Sequence, residues 1–122
     1  MLCLLLDILI VSLYCRYVGE HKDGQKDGQG CCTYSEGSVH KGSYRRGVKS
    51  GPGTCTWANG NVFSGMYEND RMHGSGTFKW VSGHVYTGEF ANDKRHGRGT
   101  LIYEDGTRQS GQWYDGSFVA ES

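Results

Sequence analysis

Histidine and cysteine are the residue types in this chain that could bind a metal ion or act as nucleophiles. His73 and His96 precede equivalent Gly-x-Gly motifs and lie 23 residues apart. If they occupy equivalent strands of neighbouring hairpins, two strand spacings of about 4.8 Å each separate them. One tetrahedral zinc ion cannot bridge that distance without further ligands, so no metal site is predicted. Both histidines are interpreted as structural loop residues.

The cysteines predict no disulfide framework, because their number is odd and no pair is spaced as Cys-x-x-Cys. They are Cys3, Cys15, Cys31, Cys32 and Cys55. Cys32 and Cys55 occupy equivalent positions, and the roughly 10 Å expected between them exceeds the reach of a disulfide. Reduced thiols in a cytosolic protein are therefore predicted, with Cys32 and Cys55 facing the core.

The remaining residues do not predict an enzyme. Outside the repeated positions, no serine or cysteine stands beside a positioned base, as nucleophilic catalysis requires. Neither glycine-rich motif that cradles nucleotide phosphates is present, so no cofactor is expected. The 13 Lys and Arg residues balance the 13 Asp and Glu residues, and nucleic-acid binding is not predicted either.

The 20 glycines recur at a fixed period. A Gly-x-Gly motif begins every 23 residues, at Gly28, Gly51, Gly74 and Gly97. Two further sets follow at the same step: Gly37, Gly60, Gly83 and Gly106, then Gly42, Gly65, Gly88 and Gly111. Self-similarity at one period indicates a repeat architecture in which each unit stacks on its neighbours.

Each repeat reads as a β-hairpin. In residues 77–81 every second residue is apolar, as a strand with one covered face requires. A turn dipeptide such as Asn59-Gly60 or Asp105-Gly106 follows, which is the strongest short-range hairpin signal. A second strand then begins, as in residues 62–67. The predicted fold is all-β: an elongated single-layer antiparallel sheet of stacked 23-residue hairpin repeats, with about nine strands.

A three-residue loop at residues 58–60 fixes the predicted register. It sets Trp57 opposite Asn61, Cys55 opposite Phe63 and Gly53 opposite Gly65. In that register the aromatic residues of each repeat share one face, whereas a two-residue loop would split them between faces. Glycine in the second strand, at Gly65 and Gly88, would let a neighbouring ring lie flat on the backbone.

These residues resemble the MORN (membrane occupation and recognition nexus) repeat. That pattern runs Gly-x-Gly, an aromatic residue, a turn glycine, Tyr-x-Gly-x-aromatic and a charged loop ending in His-Gly, as in residues 86–90 and 94–99. Departures from it are His40 and Gln109 in place of Tyr86, and His21 in place of Phe90. The outer repeats are therefore expected to pack less well.

The repeats divide the chain into three parts. Residues 16–118 form the repeat domain, with a half repeat at 16–27 and repeats at 28–50, 51–73, 74–96 and 97–118, and residues 119–122 form a tail. The apolar segment 1–15 is too short to span a bilayer, which needs about 20 apolar residues. A signal or anchor, an N-terminal cap strand covering the sheet edge and a replaced start of a longer array all remain open for it.

A single-layer sheet cannot hide both faces, so the aromatic face is predicted to bind a protein partner, as a helix or an extended peptide. The predicted partner-binding residues are Trp57, Phe63, Tyr67, Phe78, Trp80, Tyr86, Phe90 and Tyr103. The scaffold is predicted to be non-catalytic.

Basic residues on the loops between repeats give a second hypothesis, peripheral binding to anionic phospholipids. The predicted lipid-binding residues are Arg45, Arg46, Lys49, Lys94, Arg95 and Arg98. The resemblance adds a third hypothesis, a regulatory fragment of a larger enzyme, since MORN arrays occur beside lipid-kinase and SET methyltransferase domains. They also occur in junctophilins and ciliary radial-spoke proteins, which implies a cytoplasmic protein with membrane, cytoskeletal or ciliary association as further options.

Overall fold

The computed structural model describes residues 15–121, and these form one antiparallel sheet of ten strands. Each strand pairs with its neighbours in the sequence, without a crossover. The strands are β1 (Cys15–Lys22), β2 (Gln25–Tyr34), β3 (Val39–Arg45), β4 (Val48–Thr56), β5 (Val62–Glu68), β6 (Arg71–Lys79), β7 (Val85–Ala91), β8 (Lys94–Ile102), β9 (Arg108–Tyr114) and β10 (Ser117–Glu121). The predicted single-layer sheet of stacked hairpins is confirmed.

The ends of the sheet differ in detail from the prediction. Ten strands form instead of about nine, because β10 continues into residues that were expected to form a tail. The three alternatives for segment 1–15 fall outside the described residues, apart from Cys15, which begins β1.

The turn within each repeat has the predicted three-residue loop. The Trp57 amide donates to the Asn61 carbonyl at 2.9 Å, and the Gly60 amide donates to the Trp57 carbonyl at 2.9 Å. Cys55 therefore lies opposite Phe63, and Gly53 lies opposite Gly65, as predicted. The same hydrogen bonds recur around Trp80 and Tyr103, so the register is set locally and repeated.

The turn between repeats ties each hairpin to the one before it. In the turn after β5, Asn69 and Asp70 have φ angles of 49° and 69°, the left-handed pair of a tight hairpin turn. The Asp70 carboxylate accepts a hydrogen bond from the Lys49 amide at 2.8 Å, and the Asp70 amide donates to the Lys49 carbonyl at 3.1 Å. Asp93 makes the same two bonds with Met72 one repeat later. These aspartates are therefore turn residues that hold successive repeats together.

Aromatic rings lie close to glycines on two neighbouring strands. A side chain at Gly76 would meet the Phe63 ring, with Cζ at 2.5 Å, and one at Gly99 would meet the Tyr86 ring. A Cβ at Gly65 would lie 2.5 Å from the Cα of Gly76 and 2.8 Å from Cζ of Phe63, so this glycine permits close approach of backbone and ring next to a β-bulge. The sequence predicted the ring contact at Gly65 and Gly88 and missed the closer one at Gly76 and Gly99, because each ring leans across to the next hairpin.

Two cysteines contradict the expectation that all thiols are reduced. Cys15 and Cys32 form a disulfide across β1 and β2, with their Cα atoms 5.3 Å apart. Cys32 does face the core, where it is fully buried. Its partner Cys15 is a diagonal neighbour on the adjacent strand. The sequence-based prediction considered only the pair of Cys32 with the equivalent Cys55. Cys31 and Cys55 are free thiols.

Candidate functional site

The aromatic face is the side of the sheet that carries the buried rings, and it has two layers. All eight predicted partner-binding residues belong to one packed cluster on this face. Four of them are buried, with 0 to 6% of their surface exposed: Phe63, Tyr67, Tyr86 and Phe90. Their rings meet edge to face, as Phe63 does with Tyr67 at 5.4 Å and with Phe90 at 5.0 Å. This inner layer is the core, so a ligand cannot reach it without unfolding the sheet.

The outer layer contains the rings that a partner could touch. Trp57, Phe78, Trp80 and Tyr103 are half-buried and pack on the core from above. Tyr34 occupies the position equivalent to Trp57 and is also half-buried. Tyr34, Trp57, Trp80 and Tyr103 follow one another at 23-residue steps, and we call these four residues the aromatic ladder. Sequence reasoning missed Tyr34, although its position relative to Gly28-x-Gly30 marks it.

The two tryptophans of the aromatic ladder have unused hydrogen-bond donors. The indole N–H groups of Trp57 and Trp80 have no acceptor among residues 15–121. The Trp113 indole, by contrast, donates to the Gly99 carbonyl at 3.0 Å. Buried indole N–H groups are normally paired, so a half-exposed unpaired one is available to a ligand.

Two of the predicted lipid-binding residues lie on the aromatic face instead of the loop rim. The Arg95 guanidinium lies 4.7 Å from the Trp113 ring centroid and 5.6 Å from that of Trp80, and it donates to the Gly116 carbonyl at 2.8 Å. Lys49 lies over Tyr34 at 5.3 Å. The aliphatic part of such side chains packs well on rings, and the charge gains a cation–π contact. Sequence spacing alone could not show that these cations turn inward.

The other four predicted lipid-binding residues do not form one patch. Arg45 and Arg46 are exposed neighbours at the end of β3 and the start of the following turn. Lys94 is exposed and 3.7 Å from the Asp115 carboxylate, while Arg98 projects from the middle of β8. The structure therefore divides the predicted set among the aromatic face, one arginine pair and two separate positions.

The charges beside the aromatic ladder differ between its two tryptophans. Near Trp57 the face is lined by three carboxylates, Glu36, Asp70 and Asp93, together with Lys49. Near Trp80 it is lined by Ser82, His84, Arg95 and Leu101, and Glu104 lies beside the neighbouring Gly83. A ligand that lies along the ladder would thus meet three carboxylates near Trp57 and the Arg95 guanidinium one repeat further on.

The sequence matches the family model of the MORN repeat in four consecutive stretches, at residues 17–39, 40–62, 63–85 and 86–108. The chain belongs to the MORN repeat family. The family model and the sequence-based division share the 23-residue step and differ in where a repeat begins. No curated protein matches the chain. None of the described residues of this MORN protein forms a helix with the length and apolarity that crossing a membrane requires.

His40 is the departure from the MORN pattern with the largest structural consequence. It takes the place of Phe63 and Tyr86 in its own repeat, is fully buried, and meets the Tyr67 ring edge to face at 4.7 Å. Neither Nδ1 nor Nε2 has a hydrogen-bond partner. Burial lowers the pKa of His40 to about 4, with a smaller contribution from the charge of Lys49. His40 is thus as buried as Phe63 and Tyr86, but it places two unpaired polar atoms in the core.

His73 and His96 act as turn acceptors in the MORN sheet. His73 Nδ1 accepts a hydrogen bond from the Asn92 amide at 3.4 Å, and His96 Nδ1 accepts one from the Asp115 amide at 3.2 Å. Within residues 15–121, no three His, Cys, Asp or Glu side chains come together as a metal site would require. The prediction that both are loop residues is wrong, because His73 lies in β6 and His96 in β8, where each accepts a hydrogen bond from the following turn between repeats.

The free thiol of Cys55 is not arranged for nucleophilic chemistry. It is buried in the core, and burial raises its pKa, so the thiol stays protonated near neutral pH. Burial likewise raises the pKa of the neighbouring Tyr67 hydroxyl. These groups pack, and the surface available for interaction is the aromatic ladder with its flanking charges.

Proposed function

We propose that this MORN protein is a non-catalytic scaffold that binds a segment of a protein partner along the aromatic ladder. The observation that supports the proposal is the repetition of half-exposed rings at one position of successive hairpins, two of which, Trp57 and Trp80, have indole donors without an acceptor among residues 15–121. Binding hot spots are enriched in tryptophan, tyrosine and arginine, and Arg95 stands beside Trp80. Trp57, Phe78 and Trp80 are in ring contact, and such a cluster is a larger apolar patch than isolated surface residues form.

The proposal gives the predicted partner-binding residues two roles. Phe63, Tyr67, Tyr86 and Phe90, which are buried, would support the site from the core. Trp57, Trp80 and Tyr103, which are half-buried, would contact the partner directly, with Tyr34 as a further contact. Phe78 lies between Trp57 and Trp80, with ring centroids at 5.2 Å and 4.5 Å from theirs, and fixes their orientation.

Changing Trp57 and Trp80 together to serine is expected to abolish partner binding and to lower the free energy of unfolding by about 2–4 kcal/mol. Both rings are half-exposed and lie outside the buried core, so about 1–2 kcal/mol each is expected, less than for a buried ring. Immobilised parent and variant would be compared for partner capture from cell extract, with thermal melting as the check on folding.

Met66→Ser provides the matched control for this experiment. Met66 has 39% of its surface exposed and lies on the opposite face of the sheet, beside the glycines of β4 to β6. It should capture the same partner as the parent. Retention of the partner by the folded double serine variant, or its loss from Met66→Ser, would contradict a site on the aromatic face.

The arginine pair Arg45-Arg46 favours one second candidate, binding to anionic phospholipid surfaces. Both side chains are exposed, and neither forms an ion pair within residues 15–121. Each basic residue near an anionic membrane contributes about 1 kcal/mol. Arg45→Glu with Arg46→Glu should then abolish flotation with phosphatidylserine vesicles, and binding by the parent should weaken as salt rises. Equal flotation of parent and variant would rule out this pair as a lipid contact.

The third hypothesis, a regulatory fragment of a larger enzyme, rests on the family resemblance alone. No contact within residues 15–121 bears on it.

A further inference from the structure

The spacing of the aromatic ladder selects among the conformations that a bound segment could take. Successive ladder residues lie two strands apart, which is about 9.6 Å. A polyproline II helix repeats every three residues at about 3.1 Å each, or about 9.3 Å. Two turns of α-helix advance about 10.8 Å. Over the three steps of the ladder, the difference between ligand repeat and ladder spacing adds up to about 3–4 Å for an α-helix and to about 1 Å for polyproline II. In a β-strand, residues three apart point to opposite sides.

Hydrogen bonding leads to the same conformation. The indole N–H groups of Trp57 and Trp80, which have no acceptor among residues 15–121, can donate to carbonyl groups of the ligand. An α-helix uses its own carbonyls internally, whereas polyproline II leaves every carbonyl free. The ladder also crosses the strands on the face of the sheet, away from the edges at β1 and β10, so strand addition cannot supply the contact.

We propose that the aromatic ladder binds a proline-rich segment in the polyproline II conformation. An acidic residue of that segment would contact Arg95, and a basic residue of the segment would lie about one helical turn away from the acidic one. This proposal rests on the protein-binding function proposed above. The charges follow from complementarity: Glu36, Asp70 and Asp93 line the region of Trp57, while the Arg95 guanidinium lies 5.6 Å from the ring centroid of Trp80. Proline rings pack on Trp57 and Trp80, and the carbonyls between them accept the indole hydrogen bonds.

A set of synthetic peptides tests the conformation. The probe has about twelve residues, with proline at every third position, one lysine and, three residues on, one glutamate. A second peptide replaces each proline with alanine and keeps the charges. By isothermal titration, the proline probe should bind at least about tenfold more tightly than the alanine peptide, because only the former is preorganised. Equal or tighter binding of the alanine peptide would overturn the proposal.

Two variant pairs test the contacts. Trp57→Phe with Trp80→Phe keeps aromatic rings and removes both donors, so the probe should bind roughly tenfold more weakly. Arg95→Met should lower the affinity for the probe and leave unchanged the affinity for a probe in which glutamine replaces the glutamate. Arg98→Met, which changes an exposed cation of the same strand, is the matched control. Unchanged affinity of the phenylalanine variant for the probe would overturn the proposal.

The two proposals fail in different ways. If no proline probe binds while Trp57→Ser with Trp80→Ser still loses the captured partner, the aromatic face is a protein-binding site and the polyproline proposal is wrong. If the serine variant also keeps its partner, both proposals are wrong. Binding of the proline probe that disappears in the serine variant and survives Met66→Ser would support both.

Discussion

His40→Phe is expected to raise the free energy of unfolding at pH 7 and to remove much of its decline between pH 6.5 and pH 4. His40 is fully buried with two unpaired ring nitrogens. Phenylalanine removes those polar atoms, and Phe63 fills the equivalent position of the next repeat. The gain at pH 7 should be about 1–3 kcal/mol, the cost of leaving a buried polar group unsatisfied.

The pH dependence follows from the lowered pKa. Burial takes the pKa of His40 from the ordinary value of 6.5 to about 4 in the folded protein. Between these values the unfolded chain binds a proton that the folded chain does not. Stability is therefore fully present above pH 6.5 and falls as the pH drops toward 4, by about 3 kcal/mol for this one group.

Urea denaturation of parent and variant at pH 7, 5.5 and 4.5 would measure both effects. The comparison isolates His40 because the carboxylates and the other histidines are common to both proteins. His21→Phe is the matched control, since His21 is exposed and occupies the end of β1. Identical pH slopes for the parent and His40→Phe would show that His40 is not held neutral by burial.

Gly76→Ala is expected to lower the free energy of unfolding by about 2–3 kcal/mol. This is the opposite of the usual effect, because a strand is normally more stable with alanine than with glycine. The new Cβ would lie 2.5 Å from Cζ of Phe63. Phe63 cannot retreat, because it is fully buried against the rings of Tyr67 and Phe90. The backbone of Gly76 is not in the left-handed region, so the cost comes from the ring contact.

A double-mutant cycle with Phe63→Leu separates this contact from other effects. Leucine lacks the outer ring atoms, so Gly76→Ala should cost at least about 1 kcal/mol less in that background. Chemical denaturation of the four proteins gives the coupling energy. Gly24→Asn, at a turn glycine with a φ of 77° and open space around it, should cost little. Strict additivity of the two changes would mean that the ring does not rest on Gly76.

The sequence alone determined the hairpins, their step and their register. A three-residue turn fixes its own strand pairing through bonds such as Trp57 N–H to Asn61 O, and every residue involved lies within a few positions of the turn. The side on which the rings gather then follows from the two-residue period of a strand. The family was readable for the same reason, because the glycine and aromatic positions that define it are local to one repeat.

Contacts between repeats required the tertiary structure. Phe63 rests on Gly76, Arg95 turns inward to Trp113, and Cys15 reaches Cys32, each across to a strand whose relative position is set by bulge and twist. The division of the aromatic residues into a buried layer and the half-exposed ladder is of the same kind. Alternation along a strand determines the face on which a ring lies. How deeply the ring is buried depends on whether rings of neighbouring hairpins pack on top of it.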